Sequence, residues 1–464
     1  MKKNNQKIID KRIEKDTMGE MEVPLDACYG AQTQRAVENF PVSGIAFMPD
    51  FIKSVIIIKR SAAIVNSNLN LLKKSKMDFI VKACDELLDG KYNDQFPVDI
   101  FQTGSGTSTN MNVNEVVSNV ANSLSEEKIH PNDDVNMGQS SNDVIPTAIH
   151  VSSLLMVEQK LLPSLNVLLE TLNNKSDDFK NVLKIGRTHL QDATPITLGQ
   201  EFSGYAELIS NSIERINISK MNLQKIAQGG TAVGTGINTH PKFGLMIAEE
   251  ISRYTNNNFS ESPNHFQAQS SQDAAVEFSG SLKTLSVCLN KIANDIRWLA
   301  SGPRSGLGEL IIPPVQPGSS IMPGKVNPVI CESMIQVCSQ VIANDTAITL
   351  GGLGSVLELN LMLPMIAHNL LYSIKILSNS ILMFNDKLLI NLQADEKKCN
   401  DYIDGSLAMC TALAPVIGYD GAAAIAYQAY NEGKTVKEIA LEKEILSEEK
   451  INLILDPTSM IKPK

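Results

Sequence analysis

The chain has 464 residues, of which 43% are hydrophobic and 20% charged, a composition that excludes disordered and fibrous proteins and allows two or three domains. Its formal net charge of −10 argues against a nucleic acid or an anionic membrane surface as partner, because both require a basic surface. Aromatic residues make up only 5% of the chain while small and aliphatic residues dominate, so we expect an all-α protein.

The N-terminus is rich in lysine but also carries Asp10, Glu14 and Asp16 and has no apolar core. We therefore expect neither a secretory signal nor a transit peptide. The longest charge-free apolar run, 359–374, is too short for a membrane span, so we expect a soluble protein. The seven cysteines are scattered without a Cys-x-x-Cys pair, which indicates a reduced, cytoplasmic setting, and the histidines form no metal-ligand cluster. We expect no metal and no cofactor.

The first third of the chain alternates helical patterns with polar blocks. Residues 1–50 are broken by glycine and proline, which predicts irregular structure with a short hairpin. A helical pattern covers 51–88. A block of small hydrogen-bonding side chains follows at 102–114, then a helix to about Leu124 and a second polar block at 130–143. The density of Ser, Thr and Asn in these blocks exceeds what a plain turn needs.

Long helices dominate the middle of the chain. One follows residue 143, with a bend expected at Pro163, and three more are predicted at 199–227, 271–300 and 329–349. Apolar side chains cover a wide arc of each, so each must be packed on several sides. We expect them to form a bundle that continues into partner subunits, which predicts a homo-oligomer.

The last part of the chain changes character. One or two helices are predicted over 353–390, broken near Pro364, and short helices separated by glycines follow. The sequence therefore predicts an N-terminal domain (1–138), a central long-helix bundle domain (139–396) and a small C-terminal helical domain (397–464).

Four polar blocks interrupt this helical matrix, at 102–114, 130–143, 186–197 and 317–332. All are rich in Ser, Thr, Asn and Gly, and three of them hold a His or a Lys. Long helices can bring their ends to one level of a bundle, so we expect these distant blocks to share a pocket.

The block at 317–332 contains the side chains best suited to catalysis. Its prolines and glycines keep an otherwise apolar region in loop form around Ser319, Ser320, Lys325 and Asn327. A serine hydroxyl is a poor base unless nearby positive charge and backbone N–H groups lower the cost of an alkoxide, and Lys325 and the Gly-rich loop could do this after closure. His189 is the candidate second acid/base group, and Glu332 is the candidate carboxylate that orients it.

Each residue also has a structural interpretation. Single Ser, Thr and Asn side chains more often cap helices, and a single histidine at a helix entrance is more often a cap or a satisfied surface residue than a catalyst. Glu332 could simply complement the dipole of the helix that begins after Pro328. Taken as four blocks in one chain, these side chains favour a clamp for two carboxylates instead.

The loop 317–332 resembles the signature of the fumarase/aspartase superfamily, Gly-Ser-Ser-x-Met-Pro-x-Lys-x-Asn-Pro. Nearly the whole chain is similar to class II fumarase, and the segments that carry this resemblance are 102–107, 110–112, 130–136, 139–143, 186–195, 229–236 and 298–304. Aspartase is the nearest rival, but it typically has Gln at the position of His189 and Ser-Thr-Asn at 140–142.

The resemblance implies reversible hydration of fumarate to (S)-malate without metal, by anti addition through an aci-carboxylate, in an all-α homotetramer whose active sites each draw on three chains. It implies that Ser319 takes the C3 proton and that His189, paired with Glu332, handles the proton of the C2 hydroxyl or water. The substrate contacts it implies are Ser105, Gly106, Thr107, Ser140, Ser141, Asn142, Thr188, Ser320, Lys325, Val326 and Asn327. A secondary anion site is implied at His130, Pro131, Asn132 and Asp133.

Two alternatives stay open at this point: an aspartate ammonia-lyase of the same fold, and a non-catalytic structural homologue. The intact Ser319, Lys325, His189 and Glu332 argue against the second, since a structural role does not require them. Around the secondary site, Glu127, Met137 and Gly138 depart from the fumarase pattern.

Overall fold

The computed structural model describes residues 10–463 and is 62% helical, which confirms the predicted fold class. Residues 1–9, most of the lysine-rich stretch for which we expected no targeting signal, lie outside the described part of the chain. Of the helices described, none combines the length and the apolar character that a membrane span requires.

The helices account for most of the described residues. In chain order they are α1 (Ala31–Asn39), α2 (Pro49–Asn68), α3 (Lys74–Leu88), α4 (Thr107–Leu124), α5 (Ser141–Met156), α6 (Leu162–Asp178), α7 (Leu198–Leu223), α8 (Phe243–Thr255), α9 (His265–Ser270), α10 (Asp273–Leu299), α11 (Val329–Gly352), α12 (Leu363–Phe384), α13 (Glu396–Gly405), α14 (Ala414–Ile417), α15 (Tyr419–Glu432), α16 (Val436–Glu442) and α17 (Glu448–Ile454). Short π-helical segments occupy Pro131–Val135, Val157–Leu161 and Asn385–Leu389.

The strands are short and pair only two at a time within residues 10–463. They are β1 (Lys11–Asp16), β2 (Gly19–Pro24), β3 (Leu183–Thr188), β4 (Gln191–Thr197), β5 (Lys225–Ile226), β6 (Ser260–Glu261), β7 (Leu310–Ile311), β8 (Ser355–Val356), β9 (Leu359–Asn360) and β10 (Gln393–Ala394). The pairs are β1 with β2, β3 with β4, β5 with β6, β7 with β10 and β8 with β9.

Several predicted helix boundaries are wrong, and the structure gives the physical reason. The pattern over 51–88 is two helices, because Asn70 adopts a left-handed φ of 59° and the N–H groups of Leu71 and Leu72 bond back to the Asn66 carbonyl. Helix α1 lies within the region predicted as irregular, whereas the predicted short hairpin there is confirmed as β1 and β2. Pro364 does not break a helix: it lies in the first turn of α12, where its missing N–H leaves no bond unmade.

The chain divides into two compact units. The first comprises Met1–Leu162, Glu214–Thr284 and Ser339–Leu377, and it contains α1 to α5 with a core of fully buried aliphatic side chains such as Ile58, Val116 and Ile149. The three consecutive domains expected from the sequence stay a prediction.

The second unit comprises Pro163–Ile213, Leu285–Cys338 and Ser378–Lys464. It contains the β3–β4 hairpin, the loop before α11 and the helices α13 to α17. The C-terminal helices share an apolar cluster in which Leu413, Ile439 and Ile451 are fully buried.

Candidate active site

Two of the polar blocks meet in the first unit, at the N-termini of α4 and α5. The Ser105 and Thr107 hydroxyls lie 2.7 Å apart, and the Thr107 hydroxyl lies 2.7 Å from that of Ser141. Gly106 precedes α4 with a left-handed φ of 72°, and a Cβ there would lie 2.9 Å from Ile145 of α5. Glycine therefore permits the close approach that joins the hydroxyls into one chain.

The N-terminus of α5 is held by a buried carboxylate. Asp143 Oδ1 accepts the Ser140 N–H at 2.9 Å, completing a capping box in which the Ser140 hydroxyl accepts the N–H of Asn142 at 3.2 Å. Asp143 Oδ2 accepts the N–H groups of Gly229 and Thr231 at 3.2 and 2.9 Å. Burial raises the pKa of Asp143 to about 6, although these N–H groups oppose the shift.

The glycine-rich segment 229–236 is thus fixed beside α5. The Asn142 amide donates to the Ala232 carbonyl at 2.8 Å, so the same segment also fixes one of the predicted substrate contacts. Sequence reasoning found this segment by resemblance alone and missed Asp143 as its anchor.

The residues of the predicted secondary anion site form one turn. His130 Nδ1 accepts the N–H groups of Asn132 and Asp133 at 3.3 and 3.1 Å, capping the π-helical segment that begins at Pro131. Because Nδ1 is an acceptor here, the ring proton lies on Nε2. The His130 N–H donates to Asp134, which is paired with Lys76 at 2.7 Å.

Two of the residues that depart from the expected family pattern, Gly138 and Glu127, have defined local contacts in the structure. Gly138 has a left-handed φ of 69°, and a Cβ there would lie 2.9 Å from the Thr239 hydroxyl. Glu127 is bound by Lys73 and Ser75, both at 2.8 Å, so its charge is engaged locally.

His189 lies at the tip of the β3–β4 hairpin in the second unit. Thr188 pairs with Gln191, so His189 and Leu190 form a two-residue turn with φ values of 58° and 61°. Turns with two positive φ angles normally contain Asn or Gly, because other side chains are strained there. The strain holds an exposed imidazole beyond the strands, next to the exposed Thr188.

A buried ion pair anchors the base of this hairpin. Arg187 donates to both carboxylate oxygens of Glu309, at 2.8 and 3.0 Å, and Glu309 is fully buried. Burial opposes the charge of the guanidinium, but the hydrogen bonds and charge of Glu309 outweigh it and raise the pKa of Arg187. The buried Lys184 ammonium lies 3.6 Å from Glu309 and 3.2 Å from Glu201. The sequence reasoning missed Glu309.

The loop before α11 forms an open, solvent-facing pocket of about 430 Å³, lined by 314–319 and 322–326. Ser319 Oγ accepts the N–H groups of Ile321 and Met322 at 3.3 and 3.1 Å. The Asn327 amide donates to the Gly318 carbonyl at 2.6 Å, and a Cβ on Gly318 would overlap the Lys325 carbonyl oxygen. Only glycine at position 318 allows this close approach of the two ends of the loop.

The other predicted residues of this loop are available to a ligand. Ser320, Lys325 and Val326 are exposed, and Glu332 is exposed in the first turn of α11. Within the described part of a single chain, the His189 imidazole and the Glu332 carboxylate form no hydrogen bond with each other. Their pairing stays a prediction.

Among residues 10–463 no group of three or more His, Cys, Asp or Glu side chains is placed to hold a metal ion. The seven cysteines are all free thiols. The predicted site residues offer hydroxyls, amides, the exposed His189 imidazole and the exposed Lys325 ammonium.

Comparison with known proteins gives one consistent family. A family model described as Lyase matches residues 19–343, and a second, described as Fumarase C C-terminus, matches 409–462. A protein of Bacillus cereus named class II fumarate hydratase is 51% identical over 98% of this chain and 99% of its own length. A protein of Halobacterium salinarum with the same name is 52% identical over 97% of each.

Solved structures agree with these relatives. The class II fumarase of Schistosoma mansoni superposes with a TM-score of 0.95 at 40% identity, covering 97% of this chain and 99% of its own. A Brucella melitensis structure described as fumarate lyase:delta crystallin bound to cobalt gives a TM-score of 0.94 at 43% identity, covering 98% and 100%.

Proposed function

Since this chain belongs to the class II fumarase family, we propose that the two helix entrances, the His189 hairpin and the Ser319 loop are the parts with which it hydrates fumarate reversibly to (S)-malate. The chain is a lyase of this family. The observation that supports the site assignment best is the hydroxyl chain between the N-termini of α4 and α5, which lies within two of the predicted blocks.

The helix entrances bind one carboxylate of the substrate. Helix N-termini carry unpaired N–H groups and a partial positive charge, and both favour an anion. The hydroxyls of Ser105, Thr107 and Ser141 add further donors at the same place. A chain of net charge −10 repels a dicarboxylate as a whole, so such local donors must supply the attraction.

Ser319 acts as the base that removes the C3 proton of malate. The two N–H groups directed at its Oγ stabilise negative charge on the oxygen, which lowers the cost of an alkoxide. Lys325, Asn327, Ser320 and the Val326 backbone bind the carboxylate that becomes the dianionic aci-carboxylate. In the hydration direction, Ser319 returns the proton to C3.

His189 acts on the opposite face. Its imidazole accepts a proton from the water that attacks C2 and returns it to the leaving hydroxyl in dehydration. Glu332 orients the imidazole, and Thr188 contacts the substrate next to it. Because His189 and Glu332 of one chain form no hydrogen bond, we assign the Glu332 partner to another copy.

The assembly we propose is a homotetramer in which three chains complete each active site. Large apolar side chains on the long helices support it: Val287, Leu350 and Leu382 are 57%, 58% and 40% exposed in the single chain. A helix that is apolar on its exposed face requires a partner, and a symmetric homo-oligomer supplies one. We also propose a cytoplasmic location, supported by seven free thiols, and the domain limits 1–138, 139–396 and 397–464.

His130, Pro131, Asn132 and Asp133 are the proposed secondary anion site. His130 Nδ1 is engaged with the backbone, and Nε2 has no hydrogen-bond partner among residues 10–463, so we propose that the Nε2–H donates to an anion. The exposed Asp133 carboxylate lies 3.3 Å from Nδ1 and opposes anion binding, so we expect this site to be weak.

The test is the ultraviolet absorbance of fumarate mixed with the purified protein. Loss of absorbance in water alone supports the hydratase. Loss only with added ammonium supports an aspartate ammonia-lyase, and no change with a folded protein supports a non-catalytic homologue. Equilibrium sedimentation tests the tetramer independently.

A further inference from the structure

Helix α2 buries a lysine in the first unit. Lys59 is fully buried, and its ammonium donates to Asn136 Oδ1 at 2.7 Å and to Gln139 Oε1 at 3.1 Å. Within residues 10–463 it forms no ion pair with a carboxylate. Removing an ammonium from water is expensive, and two neutral acceptors repay only part of that loss. Packing alone does not account for a lysine at this position.

The two acceptors of Lys59 belong to the turn that leads into α5. Gln139 immediately precedes Ser140, and the Asn136 side chain donates to the Gln139 carbonyl at 3.2 Å. Asn136 Oδ1 also accepts from Asn110 of α4 at 3.3 Å. The Lys59 ammonium therefore contacts the turn that precedes α5 and that is bonded to α4. It does not contact the predicted binding residues at the N-termini of these two helices.

We propose that Lys59 is a positioning residue of the anion site, which fixes the 136–139 turn and contributes buried positive charge behind the N-terminus of α5. This inference rests on the proposed function of the two helix entrances as carboxylate-binding elements. A charge in a poorly hydrated interior acts over a longer distance than one at the surface. Lys59 therefore favours a bound dianion although it does not contact it.

Binding of a dianion is expected to change the protonation of Lys59. Burial lowers the pKa of Lys59 to about 7, and the nearby Asp143 carboxylate opposes this shift. A bound dianion favours the charged ammonium and raises this pKa again. Binding therefore takes up a proton near neutral pH, and affinity falls as the pH rises from the pKa of Lys59 in the free protein to its higher pKa in the liganded protein.

Few other charges compete around Lys59. On the elements packed against α2, Asp143 of α5 and Cys84 of α3 are the titratable groups that act on it. Other buried or half-buried ionisable groups on these elements have partners of their own: Asp85 and Glu250 with Arg60, Asp134 with Lys76, Glu115 with Thr33, and His150 with the Lys225 carbonyl.

The experiment compares Lys59→Met with Lys53→Met, which removes the same charge from an exposed position of the same helix. Inhibition constants are measured for succinate, a dianion, and for succinamate, its monoanion of nearly the same shape. We expect Lys59→Met to weaken succinate about tenfold and succinamate about threefold, with kcat changed less than KM, and Lys53→Met to change neither. Equal weakening of both ligands, or no weakening, overturns the proposal.

If Lys59→Met does not fold, Lys59→Gln replaces it, because its amide can still donate one hydrogen bond. If neither folds, calorimetry in buffers of different ionisation enthalpy measures proton uptake when succinate binds a His189→Asn variant. Uptake that is largest near pH 7 supports the proposal and its absence overturns it. An unchanged protein that does not hydrate fumarate rejects the proposed function instead, so the two failures are distinguishable.

Discussion

Replacing Glu309 with Gln tests whether the buried ion pair at the base of the β3–β4 hairpin supports both the fold and the position of His189, the proposed acid/base group. The substitution keeps the shape of the side chain and removes its charge. Arg187 then loses its bidentate partner, and Lys184 retains the Glu201 carboxylate at 3.2 Å and the Ile185 carbonyl at 3.0 Å. Removing one partner of a buried pair costs about 3–5 kcal/mol. Arg187 is 13% exposed, so we expect the lower end, about 3 kcal/mol.

The free energy of unfolding is measured by urea titration, with Glu207→Gln as control. Glu207 is exposed, and its carboxylate bonds only to the neighbouring Asn211 on α7, so this variant is expected to change stability by less than about 0.5 kcal/mol. Glu309→Gln is also expected to lower kcat, because the hairpin that carries His189 loses its anchor. The double variant Glu309→Gln with Arg187→Met is expected to recover stability without recovering kcat, since it leaves less uncompensated charge. If Glu309→Gln stays within about 0.5 kcal/mol of the unchanged protein and turns over normally, the anchoring role is wrong.

Three further predictions concern groups of the site itself. Ser319→Ala is expected to abolish turnover while the circular dichroism and the oligomeric state stay unchanged, because the loop is outside the core; retained turnover would reject the assigned base. His189→Asn is expected to lower kcat by about 10²–10⁴-fold, the usual contribution of one acid/base group, and a loss below tenfold would leave it a structural turn residue. The Asp143 pKa of about 6 lies above its unfolded value, so its contribution to stability is complete below about pH 4 and declines as the pH rises through 6. Relative to Asp143→Asn, the unchanged protein should therefore lose about 2–3 kcal/mol of unfolding free energy between pH 4 and pH 7, and a constant difference would contradict this.

The long helices were predictable because their apolar spacing persists over many turns. The pattern over 199–227 corresponds to Leu198–Leu223, and that over 271–300 corresponds to Asp273–Leu299. The short hairpin of β8 and β9 escaped prediction because each strand has only two residues, too few for an alternating pattern. The His189 turn also lacks the Asn-Gly signal of a two-residue hairpin, so the sequence could indicate only a break.

The structure tests only part of the predicted site. Hydroxyl and amide side chains concentrated in four blocks predict which residues carry the chemistry, and the structure brings two of these blocks together at the N-termini of α4 and α5. That Thr107 contacts Ser141 depends on Gly106 accepting a left-handed backbone beside Ile145, which is a tertiary contact. We predict that His189, Glu332 and Ser319 from different copies form one active site. This stays a prediction, because it depends on an assembly rather than on one chain.

Lys59 nevertheless had a signal in the sequence. Counting in helical steps from Ile52 gives Val55, Ile56, Lys59 and Ala63, so the lysine falls on the face that α2 buries, and all of these side chains are at most 5% exposed. Arg60, one residue further, lies toward the exposed face and pairs with Asp85 at 2.7 Å. A single cation on an otherwise apolar helical face either destabilises the fold or donates hydrogen bonds to buried acceptors. In this chain the acceptors lie directly before the helix that we expect to bind an anion, so the position of Lys59 is better explained by ligand binding than by stability.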